Sequence, residues 1–155
     1  MVEPSSDRRA VFRGVVSLAL HDGNLSFGEK RLITKLAMAL RLDDDEPKMI
    51  YDAILEEEKL EDGHPLTISE KFTAYEQVLE TFLINTNKTD DELRMIAYLR
   101  RVFEISDSEH RAILSSLDRQ LEDIVHRNVK QSIRFELKEI NKRLSEILES
   151  VRIQR

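Results

Sequence analysis

The chain has 155 residues, enough for one domain with its own core, and a formal net charge of −6, which argues against general nucleic-acid binding because phosphate contacts need clustered cations. Apolar residues make up 41% and charged residues 35%, the balance expected of solvated helices around an aliphatic core, since aromatics are only 6%. Cys is absent, which excludes disulfides, thiolate metal sites and cysteine nucleophiles and fits a reducing compartment.

The first residues, Met1 to Asp7, are polar and carry no signal-peptide core, and no apolar run reaches the length of a transmembrane helix. A cytoplasmic protein without membrane insertion is expected. A first helix is predicted at about 7–21, where Val11, Val15, Leu18 and Ala19 recur at helical spacing. It exits through His21-Asp22-Gly23-Asn24, with Gly23 supplying left-handed backbone. Ser26 and Glu29 then form a capping box, and Leu32, Ile33, Leu36, Ala39 and Leu40 make the buried stripe of a second helix. Asp43-Asp44-Asp45 leads into a third, with Pro47 in its first turn and Met49, Ile50, Ala53 and Ile54 inward.

Residues 59–68 read as the long loop, marked by Asp62-Gly63 and Pro65. The next helix opens at Ser69 or nearby and turns Phe72, Tyr75, Val78, Leu79, Phe82 and Leu83 inward. Thr89 with Glu92, and Ser106 with Glu109, make two more capping boxes.

A shift of 63 residues lays the chain on itself without a gap: Asn24 on Asn87, Glu29 on Glu92, Arg31 on Arg94, Leu36 on Leu99, Glu46 on Glu109 and Ile50 on Ile113. The expected fold is all-α: duplicated three-helix units at about 7–58 and 69–121, forming one helical domain over 1–118, followed by a long C-terminal helix over 119–155.

Residues 1–118 carry a net charge of −9 and residues 119–155 a net of +3. No Gly or Pro follows Pro65, so an unbroken helix is predicted from Leu114 to Val151. Its apolar residues run at spacings of four to Leu137 and then alternate three and four, a short heptad seam. Fewer than three heptads need a partner: a second copy, another protein, or the body of the same chain. Ile133, Leu137, Ile140, Leu144, Ile147 and Val151 are the candidate partner-binding residues, with self-association placed ahead of folding back.

The stretch Asp22-Gly23-Asn24-Leu25-Ser26-Phe27-Gly28-Glu29 carries the pattern D-G-x-[IL]-S-x-x-E, and Leu36-Ala37-Met38-Ala39-Leu40-Arg41-Leu42 completes the helix that follows. With the 63-residue repeat, this resembles the TerB-like family, named for a tellurite-resistance protein and sharing its pattern with the N-terminal region of a DnaJ-like co-chaperone. The resemblance covers about residues 7–118. It implies an all-α fold of duplicated units, a link to metal or metalloid stress, and acidic residues that bind a divalent cation such as calcium, magnesium or manganese. Carried onto this chain, those residues are Asp22 and Glu29, with Glu92 in the second copy. Asn85 and Thr86 stand where the first copy has Asp22 and Gly23, so one expected carboxylate is missing. The C-terminal helix is additional to the family unit.

The residues themselves leave two readings of the turn. Asp22-Gly23 and Ser26/Glu29 work as helix exit and cap with no ligand. Alternatively, the two copies bring their carboxylates together around a cation. An EF-hand is excluded, because Leu18 and Leu20 fall at two of its ligand positions. None of the histidines at 21, 64, 110 and 126 pairs with another at a spacing of three or four, so no helix-borne zinc site arises. No nucleophile elbow, phosphate-cradling Gly-rich loop or H-E-x-x-H occurs. The expected function is therefore a non-enzymatic TerB-like binding module. The alternative is an oligomeric helical scaffold or adaptor acting through its C-terminal helix.

Overall fold

Among the described residues the chain forms seven α-helices and no strand. The structure is a computed structural model that describes residues 7–84, 89–122, 127–149 and 151; the side chains of Asp22 and of residues 121–137 lie outside the description. The helices are α1 (Arg8–Ala19), α2 (Phe27–Ala39), α3 (Glu46–Leu55), α4 (Ile68–Ile84), α5 (Asp90–Val102), α6 (Asp107–Glu122) and α7 (Arg127–Leu148). Asp7 caps α1 by accepting from the Ala10 N–H at 2.9 Å. A 3₁₀ turn at Leu20–Asp22 ends this helix, and Gly23 takes φ of +88°, the left-handed conformation that its sequence position called for. The opening of α4 lies two residues before Ser69: Thr67 and Glu70 exchange backbone and side-chain hydrogen bonds, each at 3.1 Å. That box was readable as T-x-x-E.

The 63-residue offset has a geometric counterpart. The bounds of α2 and α5 differ by 63 at both ends, and each helix opens with a complete capping box, Ser26/Glu29 and Thr89/Glu92. Each closes on a left-handed non-glycine residue, Arg41 at φ 56° and Glu104 at φ 54°. Their closing bonds also match: Leu42 N–H to Ala37 O at 3.1 Å and Ile105 N–H to Arg100 O at 2.9 Å. Packing follows suit. Helix α2 lies on α4 and α1, while α5 lies on α1 and α4. One core holds Val15, Leu36, Ile50, Tyr75, Phe82 and Leu99, and it continues through Leu117 to Ile140, Leu144 and Val151.

The unbroken helix predicted from Leu114 to Val151 does not form. Helix α6 ends at Glu122 and α7 begins at Arg127. His110 Nε2 lies 2.9 Å from Asn141 Oδ1, 31 residues on, whereas one straight helix would hold them about 46 Å apart. The tail therefore turns back, and α7 packs along α5. Burial is the physical reason. A lone helix would leave its apolar stripe in water, and a core leucine contributes about 1.5–3 kcal/mol when covered.

Polar contacts fix the returning helix. Arg101 donates to Leu148 O at 2.8 Å, satisfying a carbonyl at the end of α7, and Arg143 pairs with Asp90 at the start of α5. His110 is buried, and its Nδ1 lies 2.8 Å from the Tyr75 hydroxyl. The tautomer that satisfies both neighbours donates from Nε2 to Asn141 and accepts at Nδ1 from Tyr75. Burial pushes the His110 pKa below its ordinary value, the Asn141 bond countering only in part.

Candidate functional site

Glu29 and Glu92 stand at the third positions of α2 and α5, so each carboxylate curls back to the N-cap of its own helix. Glu29 Oε1 accepts from the Ser26 N–H at 3.0 Å. Glu92 Oε2 accepts from the Thr89 N–H at 3.1 Å and from the Thr89 hydroxyl at 2.9 Å. Both residues are almost wholly buried, at 3% and 1% exposure, unusual for glutamate and possible here because N–H donors satisfy the charge.

The two helix starts meet. A Cβ at Gly28 would fall 2.6 Å from Glu92 Oε1, so the glycine is what lets the Glu92 carboxylate lie against the start of α2. The offset takes Gly28 to Asp91, and Asp91 in turn shares a cavity of about 310 Å³ with Glu29, His21 and Arg94. The polar corners of the two halves thus adjoin. Their electrostatics favour the carboxylates as caps: two helix N-termini point at them, and Arg94 donates to Asp91 Oδ1 at 2.7 Å. A cation entering there would compete with those N–H groups and with Arg94. Among the described residues, no group of three or more His, Cys, Asp or Glu side chains is placed to hold a metal ion. The side chain of Asp22 is outside the described set, and His21 is exposed at the cavity.

The seam residues fall differently. Ile140, Leu144 and Val151 are buried in the core of their own chain, and Ile147 packs partly against it. A partner could reach them only if α7 left α5. Ile133 and Leu137 are among the side chains outside the description.

Sequence reasoning missed the Tyr75–His110–Asn141 chain. The available signal was the register of α6, where His110, Ile113, Leu114 and Leu117 fall on one stripe at spacings of three and four. A histidine on an apolar stripe needs partners on both nitrogens, and here α4 and α7 provide them. No helix among the described residues is long and apolar enough to cross a membrane. No family model, no curated protein and no solved structure matches this chain.

Proposed function

We propose that this chain is a non-enzymatic, TerB-like binding module built from a duplicated helical unit, and that it works by holding amphipathic helices against its body. One observation carries the reading: α7, an amphipathic helix of basic character, lies in a seat on α5 and is latched by side chains of the body at Asp90, Arg101 and His110. The matching caps and closing bonds at an offset of 63 support the duplication. The link to metal or metalloid stress rests on the family resemblance.

The test separates seat from occupant. A chain ending at Glu122 is mixed with a peptide of residues 127–155, and binding is followed by calorimetry and far-UV circular dichroism. One peptide per chain should bind with a gain in helix, and a Leu144→Asp peptide should not. A folded shortened chain that ignores the peptide ends the proposal. Assembly of copies through the seam requires α7 to leave α5, and a monomeric mass in light scattering removes that alternative.

A second reading, divalent-cation binding at Asp22, Glu29 and Glu92, draws support from the adjoining buried caps of α2 and α5. It predicts that millimolar calcium, magnesium or manganese raises the melting temperature, and that Asp22→Ala/Glu29→Ala abolishes the rise. A melting temperature that none of these ions moves removes it.

A further inference from the structure

We propose that the outer face of α2 is a second helix seat, and that its occupant is an acidic amphipathic helix of a partner protein. The inference rests on the helix-holding reading above and names the partner class. Helices α2 and α5 contact the same two body helices, α1 and α4, but α5 has α7 as well. The difference shows in burial. On α5, Leu93 and Ala97 are fully buried, and Asp90 and Arg101 latch onto α7. Sixty-three residues earlier, the same stripe on α2 is Phe27, Lys30, Thr34 and Met38. All four are exposed, Phe27 at 78% and Met38 at 67%.

With Arg31, Lys35 and Thr81 of α4, these residues line an open groove of about 390 Å³. Phe27, Arg31, Thr34 and Met38 follow at spacings of four, three and four, so they share one face of the helix. Phe27 and Met38 stand about 16 Å apart along it, three turns, the reach of a docked helix with apolar anchors at both ends. An exposed Phe and Met on one stripe form an apolar strip, and Met adapts its shape to different partners.

Charge selects the occupant. Lys30, Arg31 and Lys35 line the groove, and among the described residues no carboxylate does. From Lys30 to Leu42 the chain has four cations and no acid, although its net charge is −6. Helix α7 itself carries six basic and three acidic residues, so α7 of a second copy would meet like charge here. A helix with apolar anchors and acidic flanks meets opposite charge on both sides of the strip.

The test titrates the full chain, whose α5 seat α7 already fills, with a peptide of residues 133–151 bearing Arg134→Glu, Lys138→Glu, Lys142→Glu and Arg143→Glu. It should bind one per chain with a micromolar Kd, weaken with added salt, and outbind the unaltered 133–151 peptide. Met38→Asp and Lys30→Glu/Lys35→Glu should each weaken it about tenfold or more. Lys30 and Met38 are exposed and Lys35 is half-buried, so the variants should keep a melting temperature close to that of the wild type. Absence of binding at millimolar peptide overturns the proposal, as does binding that Met38→Asp leaves unchanged. A dimer in light scattering that Phe27→Asp dissolves would put a second copy on this face and overturn it. Tighter binding to vesicles of equal phosphatidylcholine and phosphatidylserine than to the peptide would give the face to a lipid surface and overturn it. The shortened-chain experiment reports on the α5 seat alone and this titration on α2 alone, so the two readings fail separately.

Discussion

Arg41 and Glu104, 63 residues apart, hold the same left-handed backbone at φ 56° and 54°, and each closes its helix with the same pair of hydrogen bonds. Neither is glycine, so each carries a steric cost of roughly 1–2 kcal/mol at a site glycine would fill freely. Part of that gain is offset by the greater freedom of glycine in the unfolded chain. Arg41→Gly and Glu104→Gly are each expected to stabilise the protein by about 0.5–1 kcal/mol, read as a higher urea midpoint with an unchanged slope.

Gly14 of α1 lets Tyr98 of α5 approach so closely that a Cβ at position 14 would lie 2.0 Å from the Tyr98 hydroxyl oxygen. Gly14→Ala should therefore destabilise by about 1–3 kcal/mol. Tyr98→Phe removes that oxygen, but the ring carbon behind it would still be 2.6 Å away. The double variant should recover part of the loss, giving a coupling free energy in a double-mutant cycle. Strict additivity would show that the two residues do not touch.

His110 sets the response to mild acid. Buried between Tyr75 and Asn141, and faced by Arg100, Asp107 and Arg111, it has a folded-state pKa lowered from 6.5 chiefly by burial. The unfolded chain then binds the proton more readily, so the contribution is complete above about pH 6.5 and declines as pH falls through that value. The melting temperature should drop between about pH 7 and pH 5, and His110→Gln should flatten the drop. At lower pH, Glu70 adds to the loss. The Arg8 guanidinium, 2.5 Å away, holds its carboxyl at about 2, so its contribution fades as pH falls from the ordinary 4.5 toward 2.

Leu144 reports on the return of the tail. It is 1% exposed on α7, inside the shared core. Leu144→Ala should cost about 2–5 kcal/mol and speed amide exchange in α7 ahead of α1 and α4. Equal acceleration in all helices would mean that α7 does not open as a unit.

Much of the scaffold was legible because it is local. Ser26/Glu29, Thr89/Glu92 and Ser106/Glu109 are read three residues apart, and Gly23 announces its own turn. The return of α7 was not legible, since 123–126 contain neither Gly nor Pro and helical periodicity runs through them. The stripe of Ile140, Leu144 and Val151 fits a second copy as well as it fits α5; which surface covers it is a long-range fact. At the candidate site, the sequence named Glu29 and Glu92 but not the closeness of Glu92 to Gly28, which depends on how two helices cross. His110 was passed over because its partners lie 35 residues before it and 31 after it.

Helix α5 is enclosed by α1, α2, α4 and α7, and Leu93, Ile96, Ala97 and Leu99 have no measurable exposure. Substitution there must suit four neighbours at once, whereas Tyr51 and Leu55 of α3 face open water. Sequence drift among descendants of an ancestral chain will therefore run fastest along the outside of α3. A relative of this protein is best sought by the pattern of its innermost helix.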